Sequence, residues 1–194
     1  MSDSQVPTTR RRIMIEAAKL FHSKGYAATS MREIAAAVGI EASSLYNHIK
    51  GKDALLEELC FKVSDAFRSQ MDEVGQLQIS PLEKLEAIFR YHIELAEKDY
   101  TTVTAFNDEW RHLPDNSRSR FMAERKNYEE FVMRTIAEGQ DYDILNKNVS
   151  PSFAAKTMLS SVRWIYFIRS EKKSWNNDEI WEQWSQLLLK GLVD

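Results

Sequence analysis

Ser30-Met31-Arg32-Glu33-Ile34-Ala35-Ala36-Ala37-Val38-Gly39-Ile40-Glu41-Ala42-Ser43-Ser44-Leu45-Tyr46-Asn47-His48 is the stretch on which the reading of the chain turns. Ser30 and Glu33 stand three apart ahead of an apolar run, so hydroxyl and carboxylate can each satisfy a backbone N–H that the first helical turn leaves without a partner. A short helix is expected to start there and to continue through Ile34, Ala35 and Val38. Gly39 is the residue best able to take the left-handed conformation of a sharp turn. A second short helix, from about Ala42 to His48, follows it. Ala35, four residues before Gly39, is small enough for the second helix to cross closely, and Ile34, Val38, Ile40 and Leu45 can form a small core between the pair. Such proportions are those of a DNA-reading helix-turn-helix. On spacing alone they also fit a plain helical hairpin.

The outward residues favour the first alternative. Ser43, Ser44, Tyr46, Asn47 and His48 are short or planar hydrogen-bonding groups, followed by Lys50 and Lys52. They suit phosphate oxygens and base edges, whereas a generic surface helix carries Glu and Lys pairs. Working upstream, a helix is expected from about Thr8 to Lys24, with Ile13, Ala17, Leu20 and Phe21 on one face and Gly25 at its end. Arg10, Arg11 and Arg12 precede it as a basic arm that can follow phosphates or enter a minor groove.

Downstream, Leu56, Cys60, Val63, Phe67, Met71 and Val74 mark one face of a long helix from about Lys52 to Val74. Ser80-Pro81 and Ser150-Pro151 each set a capping residue before a proline at a first helical position. Between them the pattern gives a short helix over Tyr100 to Trp110 and a longer one from Asp115 to about Glu138, closed by Gly139. A polar loop spans Gln140 to Val149, and the last helices run from Pro151 to Lys172 and from Asn177 to Leu192, the latter capped by Asn176 or Asn177. No strand alternation bounded by hairpin dipeptides appears, so the expected fold is all-α.

The chain has 194 residues and a net charge of −3, which looks wrong for a nucleic-acid binder until the charge is divided by position. Residues 1–52 hold eight Lys/Arg against four Asp/Glu, and residues 53–194 hold eighteen against twenty-five. A basic N-terminal quarter on an acidic body suggests one part that meets phosphates and another that does not. No apolar run reaches the roughly 18 residues of a membrane span, and the N-terminus lacks a signal-peptide core, so a cytoplasmic protein is expected. The lone Cys60 excludes an internal disulfide and reads as a small buried side chain. His22, His48, His92 and His112 show no metal-ligand spacing, and neither a glycine-rich phosphate loop nor a nucleophile elbow occurs. An enzyme and a metal or cofactor are therefore not expected. A pure protein-interaction module would leave the basic N-terminus unused.

The stretches Ala17-Ala18-Lys19-Leu20-Phe21, Lys24-Gly25-Tyr26, Thr29 to Ala35, Val38-Gly39-Ile40 and Ser44 to Leu55 together resemble the TetR family of bacterial regulators over about residues 8–60. That resemblance implies an N-terminal three-helix DNA-binding domain, 1–55, and a C-terminal helical ligand-binding and dimerisation domain, 56–194. It implies phosphate contacts from Thr29, Tyr46, His48 and Lys52, with Ser43, Ser44 and Asn47 near bases and Ser30 among the DNA-facing positions. It further implies a homodimer, usually a repressor, that leaves a palindromic operator when a small molecule binds. Glu41 departs from the family, which usually has Ser or Thr to cap the reading helix, and Ile49 stands where an aromatic is usual.

Beyond residue 75 no comparable motif occurs, and a pocket must be inferred from large side chains with polar tips. Phe89, His92, Tyr100, Phe106, Trp110, Phe121, Tyr128, Phe131, Trp164 and Tyr166 supply them, though aromatic residues at helical spacing also serve as plain core. From Asn107 to Leu113 and on through Arg118, Arg120, Arg125 and Tyr128, the chain loosely resembles TetR-type sensors of acyl-CoA thioesters. Arginine forks suit the phosphates of such a ligand, and Phe89, His92, Phe106, Trp110, Arg118, Arg125, Tyr128 and Trp164 are the candidate ligand contacts. Ile180, Trp184, Leu187 and Leu188 form a stripe near the chain end that is expected to pair two copies.

Overall fold

The computed structural model describes residues 8–168 and 175–193. Among these it is built of helices without strands: α1 (Thr9–Lys24), α2 (Met31–Val38), α3 (Ala42–Leu45), α4 (Lys52–Gln76), α5 (Pro81–Asp108), α6 (Asp115–Asp141), α7 (Pro151–Ile168) and α8 (Asn177–Trp184). A 3-10 turn, Trp110–His112, links α5 to α6, and a π-helical turn, Ser185–Leu189, follows α8. The chain packs as two compact units. One holds the described residues up to Val63 together with Thr101–Phe121, and the other holds Ser64–Tyr100 and the described residues from Met122 onward.

In the first unit α1 buries Ile13, Ala17, Ala18 and Phe21, while Leu20 is only half-buried. Thr8 caps it, its Oγ1 accepting from the Arg11 N–H at 3.3 Å. Ile34, Ala35 and Val38 of α2 and Leu45 of α3 are buried, so the small core expected between the two helices forms, with Ile40 at its edge. Arg10, Arg11 and Arg12 do not precede α1 but occupy its first turn. Arg10 donates to the His48 carbonyl at 2.5 Å and pairs with Glu58 at 2.5 Å, and Arg12 donates to the Val38 carbonyl. Two of the three arginines therefore brace the helix-turn-helix, because a helical first turn aims them at open carbonyl ends.

Four boundaries differ from the sequence expectation. Helix α3, expected to run to His48, ends at Leu45, and Asn47 and His48 continue it only through bonds to the carbonyls of Ser44 and Leu45, the tighter three-residue spacing. Tyr100 to Trp110 is not a separate helix: α5 runs from Pro81 to Asp108 across a kink at Asp99. Gly139 does not close α6, which continues to Asp141. A Cβ there would stand 2.6 Å from Leu145 Cδ1 and 3.3 Å from Pro81 Cβ, so this glycine serves close packing. The last helix stops being regular α at Trp184 and widens into the π turn. Its cap is Asn176, whose side chain accepts from Glu179 N–H at 2.8 Å. The expected reach of α7 to Lys172 falls partly outside the described residues, which end at Ile168 in that helix.

The second unit is cored by Leu85, Ile88 and Ile93 of α5, Val132 and Ile136 of α6, and Ala155, Met158, Val162 and Ile165 of α7. Its helices keep a readable register. On α4 and α6, Ser64 donates to Glu124 at 2.5 Å, Phe67 meets Tyr128, and Gly75 faces Phe131, so the two helices run side by side in the same direction. On α5 and α8, Asn177 bonds Glu97, Arg90 lies 4.1 Å over the Trp181 ring and Phe89 packs on Trp184, which makes that pair antiparallel.

Candidate functional site

The helix-turn-helix is fixed at both ends by groups visible in the sequence. Ser30 Oγ accepts from Glu33 N–H at 3.2 Å, and Glu33 Oε2 accepts from Ser30 N–H at 2.8 Å. Such a cap contributes about 1 kcal/mol. Glu33 also pairs with Lys24 at 2.6 Å, and that ammonium, with the Ser30 N–H and hydroxyl, holds the carboxyl down at about 2. At the turn, Gly39 adopts φ 75° and ψ 38°, and the N–H of Ile40 reaches back to the Ala35 carbonyl at 3.0 Å. The left-handed conformation closes the helix end without the penalty a Cβ would bring.

Beyond the turn, Ser43, Tyr46, Asn47 and His48 are exposed and Ser44 is half-buried, so the expected reading residues form one polar surface; Tyr46 keeps 56% of its area free. Glu41 gives no side-chain cap to α3 and remains exposed, and Ile49 fills the apolar space beneath. Ser30 is exposed at the start of α2. Thr29 and Lys52 have different surroundings from those expected. Thr29 is buried and its hydroxyl donates to the Gly25 carbonyl at 2.9 Å, so its side chain belongs to the interior of the module. Lys52 donates to the carbonyls of Tyr26 and Thr29, each at 2.9 Å, with its ammonium 4.2 Å from the Tyr26 ring centre. Two of its three donors are thus committed to the strand of chain leading into α2. The Tyr26 hydroxyl is bonded to Asp53, and burial, with that carboxylate beside it, pushes the phenol up.

The candidate ligand residues divide between the units. Phe106, Trp110 and Arg118 lie in the first: Phe106 and Trp110 pack on Phe121 with ring centres 4.9 and 5.9 Å apart, and Arg118 pairs with Asp115. In the second, Arg125 is half-buried on α6, and Trp164 is exposed on α7, edge-on to Trp175 at 6.3 Å. Phe89, His92 and Tyr128 do come together. They meet Phe67 of α4, Tyr166 of α7 and Trp184 of α8, so five helices send side chains to one cluster. His92 Nδ1 is 2.5 Å from the Tyr166 hydroxyl, and Nε2 is 3.1 Å from that of Tyr128. Burial holds the imidazole neutral, down at about 3, and pushes both phenols up.

Gln70, one turn beyond Phe67 on the same face of α4, is 7% exposed, and its Oε1 has no hydrogen-bond partner. A buried acceptor left so costs about 1–3 kcal/mol. The signal for it in the sequence is a glutamine inside the Phe67–Val74 apolar spacing.

Of the expected dimer stripe, Ile180 and Trp184 are buried against their own chain, Trp184 Nε1 donating to Ser161 Oγ at 2.8 Å. They have little surface left for a second copy. Leu188 is half-buried, and Leu187 keeps 77% of its area exposed.

A capped pair of helices with a polar tip, joined to a helical body with a buried aromatic cluster, defines the class of helix-turn-helix transcriptional regulators. Residues 13–59 match the model of bacterial regulatory proteins of the tetR family, and residues 78–192 match the tetracyclin repressor-like C-terminal domain. The HTH-type transcriptional repressor KstR2 of Mycolicibacterium smegmatis is 30% identical, over 81% of this chain and 80% of that protein. The solved ketosteroid transcriptional regulator KstR2 of Mycobacterium tuberculosis superposes with a TM-score of 0.87 at 20% identity, covering 98% of this chain and 97% of that one. AibR, solved in complex with isovaleryl coenzyme A and operator DNA, gives 0.80 at 28% identity, covering 93% and 98%. The chain belongs to the TetR family of bacterial transcriptional regulators. It is a regulator and not an enzyme. Among the described residues, no helix is long and apolar enough to cross a membrane.

Proposed function

We propose that the chain is a homodimeric repressor that reads a palindromic operator with Ser43, Ser44, Tyr46, Asn47 and His48 and leaves it when an acyl-CoA thioester binds the helical body. The observation that carries the DNA reading is the exposed polar tip of α3, held by the Ser30–Glu33 cap, the Gly39 turn and the Arg10 and Arg12 braces. Isovaleryl coenzyme A in AibR supports the effector class. Leu187, Phe153 and Trp164 are exposed large apolar groups of α7 and the turn after α8, and they supply the surface for a second copy. A ligand acts only through a difference in affinity between two shapes of the protein. Reversing a population from about 99:1 needs about 5.5 kcal/mol of such preference.

The test is selection from random duplexes at moderate salt, followed by titration of isovaleryl coenzyme A into the selected complex. The expected result is a two-fold symmetric site with half-sites about one helical turn apart. Tyr46→Ala should weaken binding to all sequences alike, and Asn47→Ala should change the preferred bases. Recovery of no preferred duplex would overturn the regulator reading. Retention of DNA at saturating thioester would overturn the effector class alone.

A further inference from the structure

Between Glu41 and His48, all the polar side chains but one are indifferent to the direction of a hydrogen bond. The hydroxyls of Ser43, Ser44 and Tyr46, the amide of Asn47 and the imidazole of His48 can each donate or accept, so a base edge of either kind satisfies them. Glu41 differs, because a carboxylate only accepts.

Glu41 is also uncommitted within its own chain. Its backbone carbonyl accepts from the N–H groups of Ser44 at 3.0 Å and Leu45 at 3.2 Å, so the first turn of α3 fixes where the residue stands. The carboxylate itself caps nothing and stays exposed. The other described carboxylates ahead of Lys52 are held, Glu16 by Lys19 at 2.7 Å and Glu33 by Lys24 at 2.6 Å. Among the described residues Glu41 has no such partner, and the exposed Arg11, Arg32 and Lys50 of the same compact unit form no ion pair with it.

We propose that Glu41 determines operator specificity by accepting a hydrogen bond from a cytosine amino group, one in each half-site. The proposal rests on the reading that the tip of α3 enters the major groove, where the first residues of such a helix meet base edges. Docking there strips water from the carboxylate and sets it among phosphates of its own sign, a cost that only a new donor offsets. The bases offer two donors in that groove, the amino groups of cytosine and adenine, whereas guanine and thymine present acceptors. Adenine carries its N7 acceptor beside the amino group, where it repels the second carboxylate oxygen. Cytosine has no acceptor there, so it is the base that an acceptor-only side chain selects.

The experiment is duplex selection with the full chain as wild type, Glu41→Ala and Glu41→Gln, followed by affinities for the selected duplex and for a scrambled one at a single salt concentration. The wild type should select a C·G pair at one position of each half-site, and replacing it should cost about tenfold in affinity. Glu41→Ala should lose the preference at that position and keep the others. It should also bind the scrambled duplex more tightly than the wild type does, because a like charge has left the surface facing the phosphates. Glu41→Gln, whose amide can pair with adenine N6 and N7, should admit an A·T pair at the same position. Both variants should melt with the wild type, since the side chain holds nothing inside the fold. Weaker binding of Glu41→Ala to every duplex alike, or a Glu41-dependent position that is an A·T pair in the wild-type site, overturns the proposal. If the wild type selects no duplex, the reading of the α3 tip falls with it. If the wild type selects a site and Glu41→Ala selects the same one, the proposal alone falls.

Discussion

Lowering the pH should destabilise this protein through His92. The unfolded chain takes up the imidazole proton near 6.5, whereas burial against Phe67, Phe89 and two phenols keeps the folded group neutral down to about 3. Below 6.5 the unfolded state therefore binds more protons, and stability falls as pH falls, with the loss complete only near the folded value. Across that window each pH unit costs about 1.4 kcal/mol. Moving from about pH 7 to about pH 5 should then remove about 2 kcal/mol, or about 4–8 °C of Tm in a chain of this size. Other groups titrate over the same range, so the quantity to measure is the difference between wild type and His92→Gln, whose amide cannot be protonated there. Both proteins are melted at one fixed concentration, because a dimer makes Tm depend on it. The stability of the wild type relative to the variant should decline by about 2 kcal/mol between the two pH values. Parallel curves would refute the reasoning, because they would show that the folded state accepts the proton as easily as the unfolded chain does.

Lys52→Ala should lower Tm by removing donors from the Tyr26 and Thr29 carbonyls, a loss of about 1–2 kcal/mol, and should weaken operator binding through the displaced start of α2. An unchanged Tm with a salt slope smaller by about one would instead mark Lys52 as a simple phosphate contact. Gly139→Ala should destabilise by about 1–3 kcal/mol despite alanine's better helix propensity, because Leu145 is buried and Pro81 closes the other side. A melting temperature equal to or above that of the wild type would show that Leu145 can move aside.

The sequence alone determined the helix-turn-helix. Ser30, Glu33, Gly39 and the apolar positions Ile34, Ala35, Val38 and Leu45 act over three to five residues, and hydrogen bonds and glycine conformation at that range are local properties of the chain. The exposure of Tyr46, Asn47 and His48 follows from the same short-range pattern. What only the tertiary structure decided depends on partners far along the chain. Lys52 looks like a free cation until folding brings the Tyr26 and Thr29 carbonyls to it. Trp184 lies on an apolar stripe that suits an interface until Phe89 and Ser161 bury it from within. Gly139 reads as a helix stop until Leu145 and Pro81 occupy the space its missing side chain leaves. The meeting of Phe67, His92, Tyr128 and Tyr166 sets His92 against Tyr166, 74 positions further along the chain, and which faces of four helices turn toward one another is settled by packing of the whole unit. Helical periodicity names the inward face of each helix but carries no information about which other helix will cover it.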